Sequence, residues 1–182
     1  MNMATKEEHA IILDYLPYGY PLEKKMMPIA QAIGSKNFVL LQLVPRRGVS
    51  MELNEKVYIG EGKRDKVYYI LGKLPSNKLT ETAKQQLNDF VEKYIDENVE
   101  KFLKFFNEAQ AINTRLHQFE LLPGFGKKHT VAILGERDKK PFESLEDLKK
   151  RVSNLPDPKK AITKRILEEI DGKERYLLFV ER

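Results

Sequence analysis

A glycine-rich turn at residues 121–128 lies between two segments that have the apolar periodicity of helices. Before the turn, apolar residues recur at intervals of three or four positions, which predicts a helix with one buried face. These residues are Ile112, Leu116, Phe119 and Leu122. After the turn, the apolar run that begins at Thr130 predicts a second helix. We therefore expect two helices joined by a tight hairpin.

The turn itself has the composition of an anion-binding site. Pro123 and Gly124 end the first helix, and Gly124 and Gly126 provide the backbone freedom that only glycine has at positive φ. A tight turn that leads into a helix directs several backbone N–H groups towards one point, where a phosphate can bind. The predicted phosphate site consists of Gly124, Phe125, Gly126, Lys127, Lys128 and His129. The alternative is a structural turn that binds nothing.

The sequence Leu-Pro-Gly-Phe-Gly-Lys-Lys, followed by an apolar helix, resembles the helix-hairpin-helix motif of nucleic-acid-binding proteins. The resemblance covers residues 121–134. It implies that the N–H groups of the hairpin hold a phosphate of the nucleic-acid backbone and do not read the bases. The family usually has an alanine near the position of His129 or Thr130, whereas the small residue of this chain is Ala132.

A second, altered copy of the motif follows the first. Leu122-Pro123 recurs as Leu155-Pro156, and Thr130 recurs as Thr163. The turn glycines do not recur, because Asp157 stands at the position of the first glycine. Without those glycines the second turn is not expected to form an N–H cradle, and the carboxylate of Asp157 would repel a phosphate. We therefore expect the second copy to be a structural partner of the first.

The two copies are expected to form one tandem helix-hairpin-helix unit at residues 111–172. Residues 142–148 predict the connecting helix, with Ser144 as its N-terminal cap. The second copy keeps positive charge at Lys160 and Lys164. These two lysines are therefore further candidates for phosphate contacts.

The first 75 residues have the pattern of a small β-barrel. Segments rich in apolar and β-branched residues predict strands at 8–16, 38–44, 56–59 and 66–71. We interpret 26–33 as a short helix that ends at Gly34, and 60–65 as the hairpin loop between the last two strands. Several short strands in so few residues favour an OB-like barrel.

Aromatic and basic residues of this barrel form a second candidate site. In OB-like barrels, aromatic side chains stack on bases while neighbouring cations hold phosphates. The candidate aromatic residues are Tyr58, Tyr68 and Tyr69, and the candidate cations are Arg46, Arg47, Lys63 and Arg64. The alternative is that the tyrosines belong to the core and that the cations only solvate two loops.

The remaining segments connect the barrel to the tandem unit. Residues 76–110 have the periodicity of connecting helices, with a break at 96–98. Residues 175–181 predict a strand, which we expect to return to the barrel and to complete it. The predicted fold class is therefore α+β, with a barrel at residues 1–75 packed with an all-helical unit.

The order of these parts resembles, over the full length, an archaeal family known as domain of unknown function 655. The N-terminal β module opens with Ile11-Leu-Asp-Tyr-Leu-Pro-Tyr-Gly, and the long helical section, the hairpin and the closing strand follow. The resemblance implies an OB-like barrel with a helix-hairpin-helix unit and a role in binding nucleic acid. It implies no defined activity.

Composition and spacing exclude several classes of function. The chain has no cysteine, which excludes disulfides, thiolate metal sites and cysteine nucleophiles. His9, His117 and His129 lack the spacing of metal ligands, and the paired carboxylates are adjacent, so they diverge on a helix. We expect no enzymatic activity, no metal, no cofactor and no small-molecule substrate. The sequence shows neither a signal peptide nor a membrane span, so we expect a cytoplasmic protein without a membrane partner.

The net charge of +5 is distributed towards both ends of the chain, with an acidic middle. A basic balance of this kind suits a polyanion. We expect a non-enzymatic protein that binds nucleic acid mainly through backbone phosphates, with RNA slightly favoured over DNA. The alternatives are a protein–protein interaction adaptor and an accessory subunit of a DNA-repair or RNA-processing enzyme.

Overall fold

The N-terminal part of the chain is a curled, five-stranded antiparallel sheet. The computed structural model describes residues 7–181, with strands β1 His9–Leu16, β2 Ile29–Gly34, β3 Leu40–Pro45, β4 Lys56–Tyr58 and β5 Val67–Lys73. The spatial order is β4-β1-β2-β3-β5, and every neighbouring pair is antiparallel. Together with the helices described below, this barrel-like sheet confirms the α+β class.

β-Bulges bend the sheet around its core. In β1 the register against β2 shifts between Ile12 and Asp14, which leaves Leu13 as the extra residue. The pairing of β3 with β5 shifts at two further points. Each bulge adds local twist and bends its strand. The sheet therefore curls over an apolar cluster: Ala10, Ile12, Ala30, Ala32, Leu41, Leu43, Met51, Val57, Ile59 and Val67.

The structure corrects the predicted short helix at 26–33, because Ile29–Gly34 is strand β2. All six residues of β2 are buried, and β2 pairs with β1 on one side and with β3 on the other. A central strand that is covered on both faces has buried residues at consecutive positions, which in β2 are apolar except for Gln31, and it lacks the alternation that identifies a half-buried strand. Tertiary pairing therefore decides the conformation of this segment.

The predicted hairpin between the last two strands is also wrong. β4 pairs with β1 and β5 pairs with β3, so the two strands lie at opposite edges in the strand order. The loop between them closes on itself, since the hydroxyl of Tyr58 accepts a hydrogen bond from the N–H of Gly62 at 2.9 Å. In the same loop Arg64 Nε donates to the carbonyl of Gly60 at 2.8 Å.

The helices follow the sheet in the chain. They are α1 Glu81–Glu97, α2 Val99–Glu108, α3 Lys127–Lys139, α4 Leu145–Arg151 and α5 Pro158–Asp171. The predicted break at 96–98 is confirmed, because α1 ends before Asn98. The side-chain amide of Asn98 donates to the carbonyl of Tyr94. The predicted cap of α4 is also confirmed, since the Ser144 hydroxyl accepts from the N–H of Asp147 at 2.9 Å.

Two predicted elements are absent from these described residues. The segment before the hairpin is not an α-helix but an isolated bridge between Ala111 and His117, followed by a single 3₁₀ turn at Gln118–Leu121. The His117 ring accepts from the N–H of Phe119, which caps this short turn. Residues 175–181 form no strand, although Phe179 and Val180 are buried.

The described chain divides into two compact units. One contains the residues up to Asp89 together with those from Ile170 onward, and the other is Phe90–Glu169. The sheet lies in the first unit, and the predicted hairpin lies in the second. The C-terminal segment groups with the unit of the sheet, but it does not add the strand that the sequence predicted.

Candidate nucleic-acid interface

The two glycines of the hairpin have different structural roles. Gly124 has a φ of +84°, and a Cβ there would lie 3.3 Å from Cγ of Pro156. Gly126 has a φ of −114° and a ψ of −170°, which any residue can adopt, and a Cβ would meet nothing within 4 Å. Gly124 is therefore a conformational requirement, whereas Gly126 contributes open space. The prediction that both glycines serve backbone freedom holds only for Gly124.

Helix α3 begins directly after this open position and has no side-chain cap. Gly126 occupies the N-cap, and no acidic residue lies in the first turn. The first N–H groups of a helix have no partner within the helix. In the described part of the chain, the amides of Lys127, Lys128 and His129 find no acceptor elsewhere. The positive end of the helix dipole is therefore exposed at Gly126.

Helix α5, in the second copy, has its N-terminus occupied. An Oδ2 atom of Asp157 accepts from the N–H of Lys160 at 3.1 Å, and Asp157 also pairs with Lys149 at 3.2 Å. Burial raises the pKa of Asp157, but the hydrogen bonds from Lys160 and Lys149 outweigh it and hold the pKa below its usual value. The second hairpin thus carries its own anion, which supports its interpretation as a structural partner.

The two lysines of the first hairpin are not equivalent. Lys127 Nζ donates to the carbonyl of Arg115 at 2.7 Å and pairs with Glu120 at 3.1 Å. The pKa of Glu120 is lowered first by the hydrogen bond from the N–H of His117 and then by Lys127. Lys128 is exposed and has no ion-pair partner among the described residues. Lys128 is therefore the free cation at the mouth of the turn.

Phe125 and His129 support the hairpin from within. Phe125 is buried and packs at ring distances of 6.3 Å from Phe106 and 5.8 Å from His129. His129 Nδ1 accepts from the N–H of Gly126, and its Nε2 lies 3.1 Å from the carbonyl oxygen of Asn154. Both side chains therefore stabilise the turn, and neither has a free polar group that could contact a ligand.

The second copy repeats the helix geometry of the first. The hydroxyl of Thr130 donates to the carbonyl of Gly126 at 3.0 Å, and the hydroxyl of Thr163 donates to the carbonyl of Lys159 at 2.8 Å. Both threonines are buried. These matching bonds support the internal repeat that the sequence indicates. The candidates Lys160 and Lys164 lie one turn apart on α5 and are both exposed.

Arg165 is a structural residue that the sequence did not distinguish from its exposed neighbours. It is 4% exposed and pairs with the buried Glu169 at 2.8 Å. Its Nη1 also approaches the carbonyl of Leu121 at 3.4 Å, so it reaches the 3₁₀ turn that precedes the hairpin. An arginine and a glutamate four residues apart on a predicted helix were the available signal.

In the unit of the sheet, the predicted basic residues converge at one end. The turn after β3 is closed by the N–H of Val49, which donates to the carbonyl of Arg46, with Gly48 at a φ of +78°. Arg46 Nε donates to the carbonyl of Arg64 at 2.7 Å, which joins this turn to the loop before β5. Arg47 is exposed on the same turn, and Lys63 is exposed on the adjoining loop.

The three candidate tyrosines differ in how exposed their rings are. Tyr58 lies beneath its own loop, with its hydroxyl bonded to Gly62 and its ring 5.5 Å from that of His9. Tyr68 is 64% exposed, and Tyr69 packs edge-on against it at 5.3 Å. Tyr68 therefore offers the most exposed ring of the three.

No three histidine or carboxylate side chains in residues 7–181 lie close enough together to bind a metal ion. In the same range, no helix combines the length and apolar character needed to cross a membrane.

Comparison with known proteins places the chain among archaeal relatives. A family model described as "Protein of unknown function (DUF655)" matches residues 6–181. The "Uncharacterized protein MJ0038" of Methanocaldococcus jannaschii is 43% identical over 177 residues, which are 96% of this chain and 80% of that protein. The crystal structure of Af1531 from Archaeoglobus fulgidus, titled with the same family model, is similar with a TM-score of 0.81 and 43% identity. That match covers 95% of this chain and 99% of the other.

Proposed function

The chain belongs to the DUF655 family, and we propose that it is a non-enzymatic protein that binds nucleic acid through backbone phosphates. In this proposal the hairpin before α3 acts as a helix-hairpin-helix site, and the barrel-like sheet acts as an OB-like module. The observation that carries the proposal is the exposed and uncapped N-terminus of α3 at Gly126.

A phosphate fits this position for three physical reasons. The amides of Lys127, Lys128 and His129 all lie in the first turn of α3, where unpaired N–H groups point outward. The side chain that would fill the space is absent at Gly126. Lys128 adds a free positive charge beside it. Since these groups contact only the backbone of a nucleic acid, affinity depends on salt and little on base sequence.

The exposure of the turn favours this function over a protein adaptor. An adaptor would be preferred if other parts of the chain covered the hairpin. Gly124, Gly126, Lys127 and Lys128 are all exposed in the folded chain. RNA remains slightly preferred to DNA in the proposal, by analogy with other small basic proteins that have a barrel of this kind.

The sharpest test places a carboxylate at the N-cap of α3. Gly126→Asp fits the observed backbone, and aspartate is a good N-cap, so we expect the free energy of unfolding to rise by a few tenths of a kcal/mol. The new carboxylate occupies the N–H groups and repels phosphate, so affinity for nucleic acid should fall by about tenfold or more. A matched control is Gly135→Asp, which adds the same charge at another exposed glycine of α3 with nothing within 4 Å of its Cβ.

Both variants are titrated with a short DNA duplex, its single strand and an RNA hairpin at several salt concentrations. The proposal expects a loss of affinity for Gly126→Asp and near wild-type affinity for Gly135→Asp. Equal losses for both variants would place the binding surface elsewhere and contradict the hairpin site. If the wild type binds none of the three ligands below about 100 μM at physiological salt, the proposed function itself is wrong.

A further inference from the structure

A cleft at one end of the sheet unit lies outside the hairpin site. It has a volume of about 490 Å³, within the range of sites that hold small organic ligands. Its walls are largely apolar, and two arginines are among the residues that line it. The lining residues that matter here are Tyr15, Pro28, Pro45, Tyr68, Arg46 and Arg47.

The arginine at the rim is held in place before any ligand binds. Arg46 is fixed through its backbone N–H, which donates to the carbonyl of Lys66 at 2.8 Å, and through Nε, which donates to the carbonyl of Arg64. Arg64 is fixed in turn, since its Nε donates to the carbonyl of Gly60. In both arginines Nε makes a hydrogen bond within the protein. The terminal nitrogens of Arg46 have no acceptor in the described chain. A fixed guanidinium loses less entropy on binding an anion.

The aromatic wall is fixed as well. Tyr68 is exposed over 64% of its surface, yet Tyr69 packs edge-on against its ring with an interplanar angle of 74°. Tyr69 is itself held by a contact of 3.6 Å from its hydroxyl to the sulfur of Met27. Tyr68 is thus an exposed aromatic ring that is supported by Tyr69 and lines the cleft.

The charge of the cleft selects an anionic ligand. None of the described residues that line it carries a carboxylate. Glu55 is paired with Lys66, and the hydrogen bond from that lysine is the main reason why the pKa of Glu55 is lowered. A flat apolar group that carries negative charge at its edge therefore matches the aromatic wall and the two arginines together.

We propose that this cleft takes one unpaired nucleobase, stacked on Tyr68, while Arg46 and Arg47 hold the phosphates on either side of it. The inference deepens the proposed function and rests on it, because it names the ligand as a nucleic acid with a single-stranded segment. Tyr58 and Lys63, which the sequence also indicated, take no part in this site. The base is bound by stacking and not by its hydrogen-bonding edge, so we expect little selectivity among bases.

The test uses a short oligonucleotide with one central 2-aminopurine, as a single strand of DNA or RNA and as a blunt DNA duplex. Stacking on an aromatic ring quenches the fluorescence of this base, so binding and stacking are read together. For the wild type we expect quenching with either single strand and none with the duplex. Tyr68→Ala should abolish the quenching and weaken single-strand binding by about 5- to 100-fold. Tyr68→Phe, which keeps the ring, should stay within about twofold of the wild type.

Gly126→Asp separates this inference from the hairpin site. If Tyr68→Ala leaves single-strand affinity and quenching unchanged while Gly126→Asp loses binding, the cleft is not a nucleobase site and the proposed function stands. If Tyr68→Ala loses binding and Gly126→Asp does not, the cleft is supported and the hairpin site is wrong. If the wild type quenches neither single strand, the cleft proposal is overturned for DNA and RNA alike.

Discussion

The imidazole Nε2 of His129 lies 3.1 Å from the carbonyl oxygen of Asn154, and this contact joins the first hairpin to the second. The other ring nitrogen, Nδ1, accepts from the N–H of Gly126. Because Nδ1 is an acceptor, the proton of the neutral ring is on Nε2 and is donated to Asn154. One side chain therefore fixes both the start of α3 and the distance between the two turns.

Replacing this side chain should loosen the hairpin. For His129→Ala we expect a decrease in the free energy of unfolding of about 1–2 kcal/mol, since two hydrogen bonds and the ring contact with Phe125 are lost. Urea denaturation followed by circular dichroism measures the change. Lys128→Ala, at the neighbouring position without a protein partner, is the control and should lie within about 0.5 kcal/mol of the wild type. Equal midpoints for His129→Ala and the wild type would show that the bridge does not contribute.

Gly124 and Gly135 should respond in opposite directions to the same substitution. Gly124→Ala introduces a Cβ at a φ of +84° and against Pro156, and we expect it to destabilise the protein by about 1–2 kcal/mol. Gly135→Ala lies inside α3 with open space around it, and we expect a gain of about 0.5–1 kcal/mol from helix propensity. Thermal unfolding of both variants checks the pair. A Gly124→Ala protein as stable as the wild type would contradict the strained turn.

The free energy of unfolding should decrease as the pH falls below neutrality, because of the titration of His117. Burial first, and the charge of Arg137 second, lower the pKa of His117 from its ordinary value of 6.5. Above that value the ring is neutral in the folded and the unfolded chain, so its full contribution is present. As the pH decreases below 6.5, the unfolded chain takes up a proton that the folded chain does not, and stability is lost until the folded pKa is reached.

Unfolding free energies at pH 7.5, 6.5 and 5.5 measure this dependence, and one proton contributes at most about 1.4 kcal/mol per pH unit. The matched variant is His117→Asn, because asparagine can still cap the 3₁₀ turn but does not titrate in this range. We expect a smaller decrease for the variant than for the wild type. The nearby Glu120 has a lowered pKa, so its contribution is lost only at more acidic pH. Parallel pH profiles would exclude His117 as the source.

Strands were predicted well where the local sequence is rich in apolar and β-branched residues. His9–Leu16 and Leu40–Pro45 were found from their apolar and β-branched residues. The partners of β4 and β5 were not found, because alternation identifies a strand but not the edge that it joins. β2 was missed for a related reason: its environment on both sides, and not its local sequence, makes it a strand.

The same limit applies to the candidate site. The position of the turn and the start of a second helix could be predicted, because glycine, proline and apolar spacing act locally. The partners of individual side chains could not, since Lys127 is paired with Glu120, Phe125 lies in the core and Arg165 is buried with Glu169. Such contacts depend on how the chain folds, and a single sequence does not show which side chains will meet.

Asp157 has a consequence for how a strand would be held. Helix α5 already carries a carboxylate from its own chain, whereas α3 has none. If α3 binds a backbone phosphate as proposed and α5 does not, the tandem unit would hold the backbone at a single point, about which the strand could still rotate. Its direction must then be set by a second contact. In the proposed mode of binding, the hairpin would therefore anchor the ligand without fixing its orientation.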